Sequence, residues 1–257
     1  MNAMTASRQQ VALVTGAAKR IGRVIALALA RDGWDIAVHY GQSREEALAL
    51  VAEITALGRR AVALQCELAD EAGVRALIGQ AAQLGPLGCV VNNASLFRND
   101  QADNFTMGAL DLHMRANVAA PVLLAQGLYD ITPAGRQAVV INLLDQKLYN
   151  PNPDFLSYTL SKAALQSATT LLAQALAPRV RVVGVAPGIT MVSGDQSAAE
   201  FEKAHRVTPL GKSSTPDDVA ATVCFVATAP AITGTTILVD GGQHLIPLQR
   251  DVMFLAK

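Results

Sequence analysis

The chain alternates short, uninterrupted apolar runs with longer stretches whose apolar residues return every three or four positions. Val11 to Thr15 is the first run and closes on Gly16. Ile21, Val24, Ile25, Ala28 and Leu29 follow at helical spacing until Gly33. The same pattern predicts strands over 36–40, 61–66, 88–94, 139–144, 180–185 and 235–239. Helices are predicted over 45–57, from about 71 to 84, over 107–131 and over 157–177. Thr215-Pro216-Asp217-Asp218 opens a last helix with a cap and a first-turn proline. Runs without polar interruption suit strands covered on both faces. Strand–helix alternation predicts right-handed crossovers and an α/β fold, a doubly wound parallel seven-stranded sheet of Rossmann type. No linker or repeat divides the 257 residues, so a single domain is expected. Residues 190–214, with a short helical patch at 198–204, lack a clear period and read as a substrate lid. The tail 244–257 carries Leu245, Ile246, Leu248, Val252, Phe254 and Leu255, too apolar to stand in water; packing on a neighbouring subunit is expected.

The turns carry the chemistry. Gly16-x3-Arg20-x-Gly22 lies between a strand and a helix, where backbone N–H groups can meet a pyrophosphate, or where an ordinary connection would also stand. At the end of the second strand His39, Tyr40, Gly41, Gln42, Ser43 and Arg44 precede any carboxylate. A carboxylate there would hold the ribose of NAD; Lys19, Arg20, Ser43 and Arg44 would instead accept a 2′-phosphate, which points to NADP(H). Arg44 could equally be a solvated loop charge. Asn92 and Asn93 either end their strand in a turn or brace the carboxyl edge of the sheet. Asn117, in the middle of a predicted helix, marks either an exposed position or a distortion whose freed backbone serves a site.

Tyr158 and Lys162 stand four apart, on one face of a helix, and Asp145 lies thirteen positions before the tyrosine at a strand end. A cation beside a phenol favours the phenolate, so the trio reads as a proton-delivery site. Alone, the pair could be a solvated helix face, but Tyr40, Tyr129 and Tyr149 have no lysine at the fourth position.

Composition narrows the partners. Lys plus Arg equals Asp plus Glu at 21 each, which argues against nucleic acid. Cys66, Cys89 and Cys224 lack any paired spacing and read as buried thiols of a reducing cytosol. No signal segment or membrane-length run is visible, and His39, His113, His205 and His244 have no metal-ligand spacing. A cytoplasmic protein with a small-molecule substrate, and without metal or membrane, is expected.

Together Thr15-Gly16…Gly22, Asn92-Asn93-Ala94, Asn117-Val118, Tyr158-x3-Lys162 and Pro187-Gly188 resemble the motifs of the short-chain dehydrogenase/reductase family, over nearly the whole chain. Arg20 replaces a usual glycine, Ser95 another, and Asp145 the usual serine. These departures, with Asn93-Ala-Ser-Leu-Phe97, look like the pteridine reductase branch, which includes bacterial dihydromonapterin reductases. The resemblance implies a cofactor groove built by Gly16, Lys19, Arg20, Ile21, Gly22, His39, Tyr40, Ser43, Glu67, Leu68, Asn93, Ala94, Ser95, Lys162, Pro187, Gly188 and Ile189. It implies that Arg20 and Ser95 contact the cofactor phosphates or the pterin, and that Phe97 stacks on the pterin. Asp145 and Tyr158 would handle the proton, Lys162 the nicotinamide ribose, and Asn117 a relay water. Asp145 could otherwise be a strand-end turn residue and Phe97 ordinary core. The implied reaction is hydride transfer from NADPH to a C=N bond of a dihydropterin or dihydrofolate-like substrate, in a tetramer. The alternatives are a carbonyl or 3-oxoacyl-thioester reductase, and a non-catalytic dinucleotide sensor.

Overall fold

The computed structural model describes residues 10–192, 197–206, 208–251 and 254. One sheet holds β1 (Val11–Val14), β2 (Asp35–Tyr40), β3 (Ala61–Gln65), β4 (Leu87–Asn92), β5 (Ala138–Leu143), β6 (Val180–Pro187) and β7 (Thr236–Val239). Its spatial order is β3-β2-β1-β4-β5-β6-β7, and every pairing is parallel. The winding reverses between β1 and β4, so a crevice opens at their carboxyl ends.

The helices are α1 (Arg20–Arg31), α2 (Arg44–Ala56), α3 (Glu71–Ala82), α4 (Met107–Met114), α5 (Ala120–Ile131), α6 (Leu156–Leu176), α7 (Ala198–Arg206) and α8 (Pro216–Thr228). Successive strand residues point to opposite faces, and both sets are apolar. Ala12, Val14, Val38 and Ile141 meet Ile25 and Leu29 of α1, Leu50 of α2 and Val223 of α8. Val11, Leu13, Val90 and Val140 meet Leu77 of α3, Leu124 and Leu128 of α5 and Ala173 of α6. Each buried Val, Leu or Ile side chain contributes roughly 1.5–3 kcal/mol, which offsets the ordering of the chain.

Three elements differ from the pattern reading, the first being the fourth strand, which stops at Asn92, two residues before its predicted end. The sixth strand continues through Pro187, two residues past its predicted end. The single helix expected over 107–131 is instead α4 and α5 joined by a π turn, Arg115–Ala119. Pro121, in the first turn of α5, has no N–H to give the Asn117 carbonyl four residues back, and the chain widens there.

Candidate active site

The crevice begins at the turn after β1. Gly16 holds φ at +61°, and a Cβ on it would come within 3.0 Å of the Ala94 Cα. A Cβ on Gly22 would fall 2.3 Å from the Gly16 carbonyl oxygen, so helix and loop close on each other only through glycine. Asn93 Nδ2 donates to the carbonyls of Thr15 (2.9 Å) and Gly16 (3.2 Å). The N–H groups of Asn93 and Ala94 both donate to Thr15 Oγ1 at 3.0 Å. Asn92 reaches the next strand, giving a hydrogen bond to Asn142 Oδ1 at 2.8 Å. The asparagine pair thus braces the sheet edge. At the start of α1, Lys19 makes no side-chain cap and the first turn holds no acid, which leaves N–H groups for an anion. Arg20 sits exposed beside them at φ +55°, and Lys19 pairs with Glu46 at 2.6 Å. This cradle fits a dinucleotide.

Two residues assigned to the groove lie beneath it. His39 is 2% exposed; its Nδ1 accepts the Gly16 N–H at 3.0 Å and its Nε2 faces the Cys66 carbonyl at 3.1 Å. Because Nδ1 accepts, Nε2 carries the hydrogen, and burial holds the ring's pKa down. Tyr40 packs in the core with α1 and α2. Both side chains are buried for one reason: β2 is covered on both faces to its last residue. Ser43 is half-buried ahead of α2, Glu67 is exposed and accepts the Ala69 N–H, and Leu68 packs partly on the core.

Across the crevice Asp145 follows β5, while Tyr158 and Lys162 lie one turn apart on α6. The Tyr158 hydroxyl donates to Asp145 Oδ2 at 2.7 Å. Asp145 Oδ1 takes the Lys147 N–H at 2.8 Å and so caps a 3-10 turn, Gln146–Leu148. Lys162 Nζ donates to the Leu143 carbonyl at 2.7 Å and lies 5.7 Å from the Tyr158 ring centre. Burial raises the pKa of Asp145, opposed by the Lys147 N–H, the Tyr158 hydroxyl and the charge of Lys162. Burial also lowers Lys162 to about 8, against the pull of Asp145. The tyrosine is pushed well above its usual range by burial and then by the Asp145 charge. The expected bias toward phenolate is therefore reversed: the acid beside the phenol keeps it protonated, and the lysine's ammonium is directed at a backbone carbonyl.

Asn117 is buried, not exposed. Its Oδ1 accepts the Leu96 N–H at 2.7 Å, and its Nδ2 donates to the Leu96 carbonyl (3.0 Å) and Ser161 Oγ (2.9 Å). The side chain therefore staples the loop after β4 to α6, and a water would have to be held by the backbone of the π turn.

Arg20, Ile21, Asn93, Ser95, Phe97, Asp145, Tyr158, Lys162 and Pro187 through Ile189 line one cavity of about 350 Å³. Gly16, Lys19, Gly22, His39, Tyr40, Ser43, Glu67, Leu68, Ala94 and Asn117 do not line it. Phe97 is 41% exposed, stacks on Phe155 at 4.3 Å and meets the Tyr158 ring edge-on at 4.7 Å. The loop after β6 is pinned by Gln243, whose Oε1 accepts the Ile189 N–H at 2.9 Å. Beyond it, Thr190 and Ser214 hydroxyls lie 2.8 Å apart, and His205 at the end of α7 contacts the Ser214 carbonyl at 3.1 Å. Residues 193–196 and 207 of the expected lid lie outside the described residues.

Sequence reasoning missed two buried carboxylates. Asp100 supplies the N-terminal cap that α6 lacks: its Oδ1 accepts the Ser157 N–H at 2.9 Å and its Oδ2 the Ser157 hydroxyl. Asp154 receives Gln101 Nε2 (3.1 Å), Arg250 Nε (3.0 and 2.9 Å) and the Asp251 N–H (2.7 Å). Lys147 Nζ donates to the Asp154 carbonyl at 2.6 Å and to Asp251 Oδ2 at 3.2 Å. The tail thus seats on its own subunit, with Asn150 bonded to the Ile246 carbonyl and Phe254 stacked on Phe155 at 6.0 Å. Val252 and Leu255 lie outside the described residues. The groups that these two carboxylates bind all lie more than 50 residues away along the chain, so no local spacing announces them.

Among known proteins, a family model described as enoyl-(acyl carrier protein) reductase matches residues 16–244. The crystal structure of FolM alternative dihydrofolate reductase 1 from Brucella canis, complexed with NADP, is 40% identical with a TM-score of 0.89, covering 94% of this chain and 96% of that one. A short chain dehydrogenase from Burkholderia cenocepacia, in complex with NADP, is 37% identical with a TM-score of 0.82, covering 91% and 97%. The 3-oxoacyl-[acyl-carrier-protein] reductase FabG of Staphylococcus aureus is 35% identical over 253 residues, 91% of this chain and 98% of the relative. The chain is a member of the short-chain dehydrogenase/reductase family of oxidoreductases.

Proposed function

We propose that the protein is an NADPH-dependent reductase acting on a C=N bond of a dihydropterin or dihydrofolate-like substrate. The observation that carries this is the Tyr158–Asp145 hydrogen bond on the wall of the cavity. NADP in the Brucella canis and Burkholderia cenocepacia relatives, the glycine cradle and the lack of a carboxylate between β2 and Glu45 support the cofactor. Bound there, it supplies the hydride. Arg20 and the open N–H groups of α1 would hold its phosphates, and Lys162 its ribose.

The chain's own part is the proton. Burial favours the protonated form of the Asp145 carboxyl. In that form Asp145 donates to the Tyr158 oxygen, which frees the phenolic hydrogen for the substrate nitrogen. The carboxyl proton then replaces it, and one proton has moved from Asp145 to the substrate. A serine at this place would polarise a carbonyl but could not refill the phenol by ionising. Phe97 and Ser95 would seat the ring, with Thr190, Met191 and Asp251 on the same cavity wall.

The second reading, a 3-oxoacyl-thioester reductase, is favoured by the Staphylococcus aureus relative. Following NADPH absorbance with purified protein separates the two. Turnover of dihydrobiopterin or dihydrofolate is expected; turnover of ketones or thioesters alone would select the second. A sensor role would show as NADPH binding without turnover. Exposed Leu160 and Leu171 on α6 and Met107 and Leu112 on α4 support a homotetramer assembled through these helices, which sedimentation would test. The free thiols of Cys66, Cys89 and Cys224 fit a cytoplasmic setting, and among the described residues no helix is long and apolar enough to cross a membrane.

A further inference from the structure

Lys147 stands outside the proton transfer, yet its ammonium is buried where three stretches of chain meet. Its backbone N–H, 2.8 Å from Asp145 Oδ1, belongs to the turn that carries the acid. Its Nζ donates at 2.6 Å to the Asp154 carbonyl, just before α6, and at 3.2 Å to Asp251 Oδ2 in the tail. The side chain is only 4% exposed, so both bonds are made away from water. The same Nζ lies 5.3 Å from the centre of the Phe155 ring. Phe155 is the residue from which α6 starts, and it holds a left-handed backbone at φ +55°. A non-glycine residue keeps that conformation only where its surroundings fix it. Here Lys147 grips the carbonyl before it, while Phe97 and Phe254 stack on its ring at 4.3 and 6.0 Å.

We propose that Lys147 is a positioning residue: it clamps the turn bearing Asp145 to the start of the helix bearing Tyr158, with the tail carboxylate as its counter-ion, and so sets the separation that the proton crosses. This rests on the proton-transfer reading but not on the substrate's identity, since the phenol must be refilled whether a nitrogen or an oxygen takes its hydrogen. A misplacement of about 1 Å at a reacting centre is worth about 10²-fold in rate. Asp251 and Asp154, the latter paired with Arg250, face Lys147, while Tyr158, Lys162 and Asp251 face Asp145. A change of charge at 147 is therefore felt at 145. With the ammonium gone, Asp251 acts on Asp145 less opposed and favours its protonated form.

The test follows single-turnover NADPH oxidation by dihydrobiopterin across pH, with the full-length protein. Lys147→Met keeps the reach of the side chain and removes its charge. It should slow the step about 10²-fold and leave the Kd for NADPH within about twofold, because other bonds hold the turn at Gly16. The rate falls as Asp145 ionises, and in this variant that fall should move to higher pH. Lys147→Arg, which retains charge and donors, should recover about tenfold or more of the loss and return the fall to its wild-type pH. Lys147→Met combined with Asp251→Asn leaves no carboxylate uncompensated, which guards against misfolding of the single variant. It should be as slow as Lys147→Met, with the fall nearer its wild-type pH. A rate within about twofold of the wild type in Lys147→Met and in the double variant would overturn the proposal. So would a slow step whose pH profile is unmoved and which Lys147→Arg does not recover. If the wild type reduces ketones but no pterin, the C=N reading fails alone, and the same series run with the ketone decides the role of Lys147.

Discussion

The hydroxyl of Tyr158 and the carboxyl of Asp145 are joined by one 2.7 Å hydrogen bond, so neither group titrates alone. Tyr158→Phe removes the hydrogen that leaves, and Asp145→Ala removes the one that replaces it. Each change should lower kcat by about 10²–10⁴. Because they act as a unit, the double variant should fall no further than the worse single one. Single-turnover rates would reveal this; multiplied losses would mean that the two act independently.

The direction of the Asp145 shift sets a pH dependence. Its carboxyl is the proton reservoir only while protonated, and burial extends that form toward neutrality. The reduction rate should be highest on the acid side and decline as pH rises through the displaced pKa. Asp145→Asn should lose that limb of the profile, as well as most of its activity.

Lys162 makes a separate prediction about stability. Its pKa is about 8 in the folded chain against its usual 10.5. Between those values the unfolded chain binds more protons, so folding becomes more favourable as pH climbs through that window. Below it, both states are charged and the cost of burying the ammonium is at its full value. Lys162→Met should be more stable than the wild type at pH near 7, with the gap narrowing by pH near 10. Urea midpoints of the two proteins at both pH values would check the sign.

Asp100 caps the helix that carries the tyrosine, one residue before Tyr158. Asp100→Ala should cost about 1–2 kcal/mol in urea unfolding. It should also lower kcat, since the start of α6 would fray beside the phenol. An unchanged midpoint would remove Asp100 from the account.

Arg20 holds a left-handed backbone that glycine would adopt without strain. Arg20→Gly should therefore match or exceed the wild type in stability, by up to about 1 kcal/mol. Its KM for NADPH should nevertheless rise roughly tenfold with the loss of a guanidinium–phosphate contact. Thermal unfolding and steady-state kinetics read the two effects separately.

Those residues also mark how far sequence alone could reach. The strands were legible because unbroken apolar runs have few other uses, and the glycine turn because Gly16 and Gly22 close on each other through missing side chains. The Asp145–Tyr158 contact could be anticipated from spacing, since a strand end and the following helix limit where each can point. The state of the tyrosine could not, because it depends on burial and on which neighbour takes the lysine's hydrogens. The burial of the His39 side chain could not be read either, because it depends on the layer above β2. The break at 115–119 did have a signal, Pro121, whose missing N–H the helical pattern concealed. Asp154 and the destination of the tail had none, since their contacts join stretches nearly a hundred residues apart.

That long reach of Asp154 has a consequence for how the molecule is made. The turn that would grip a nucleotide phosphate is complete once β4 has brought Asn93 and Ala94 against Thr15 and Gly16. The far wall of the reaction chamber waits until the last few residues return to residue 154. A ribosome-bound chain would thus close the turn at Gly16 about 150 residues before that wall is in place.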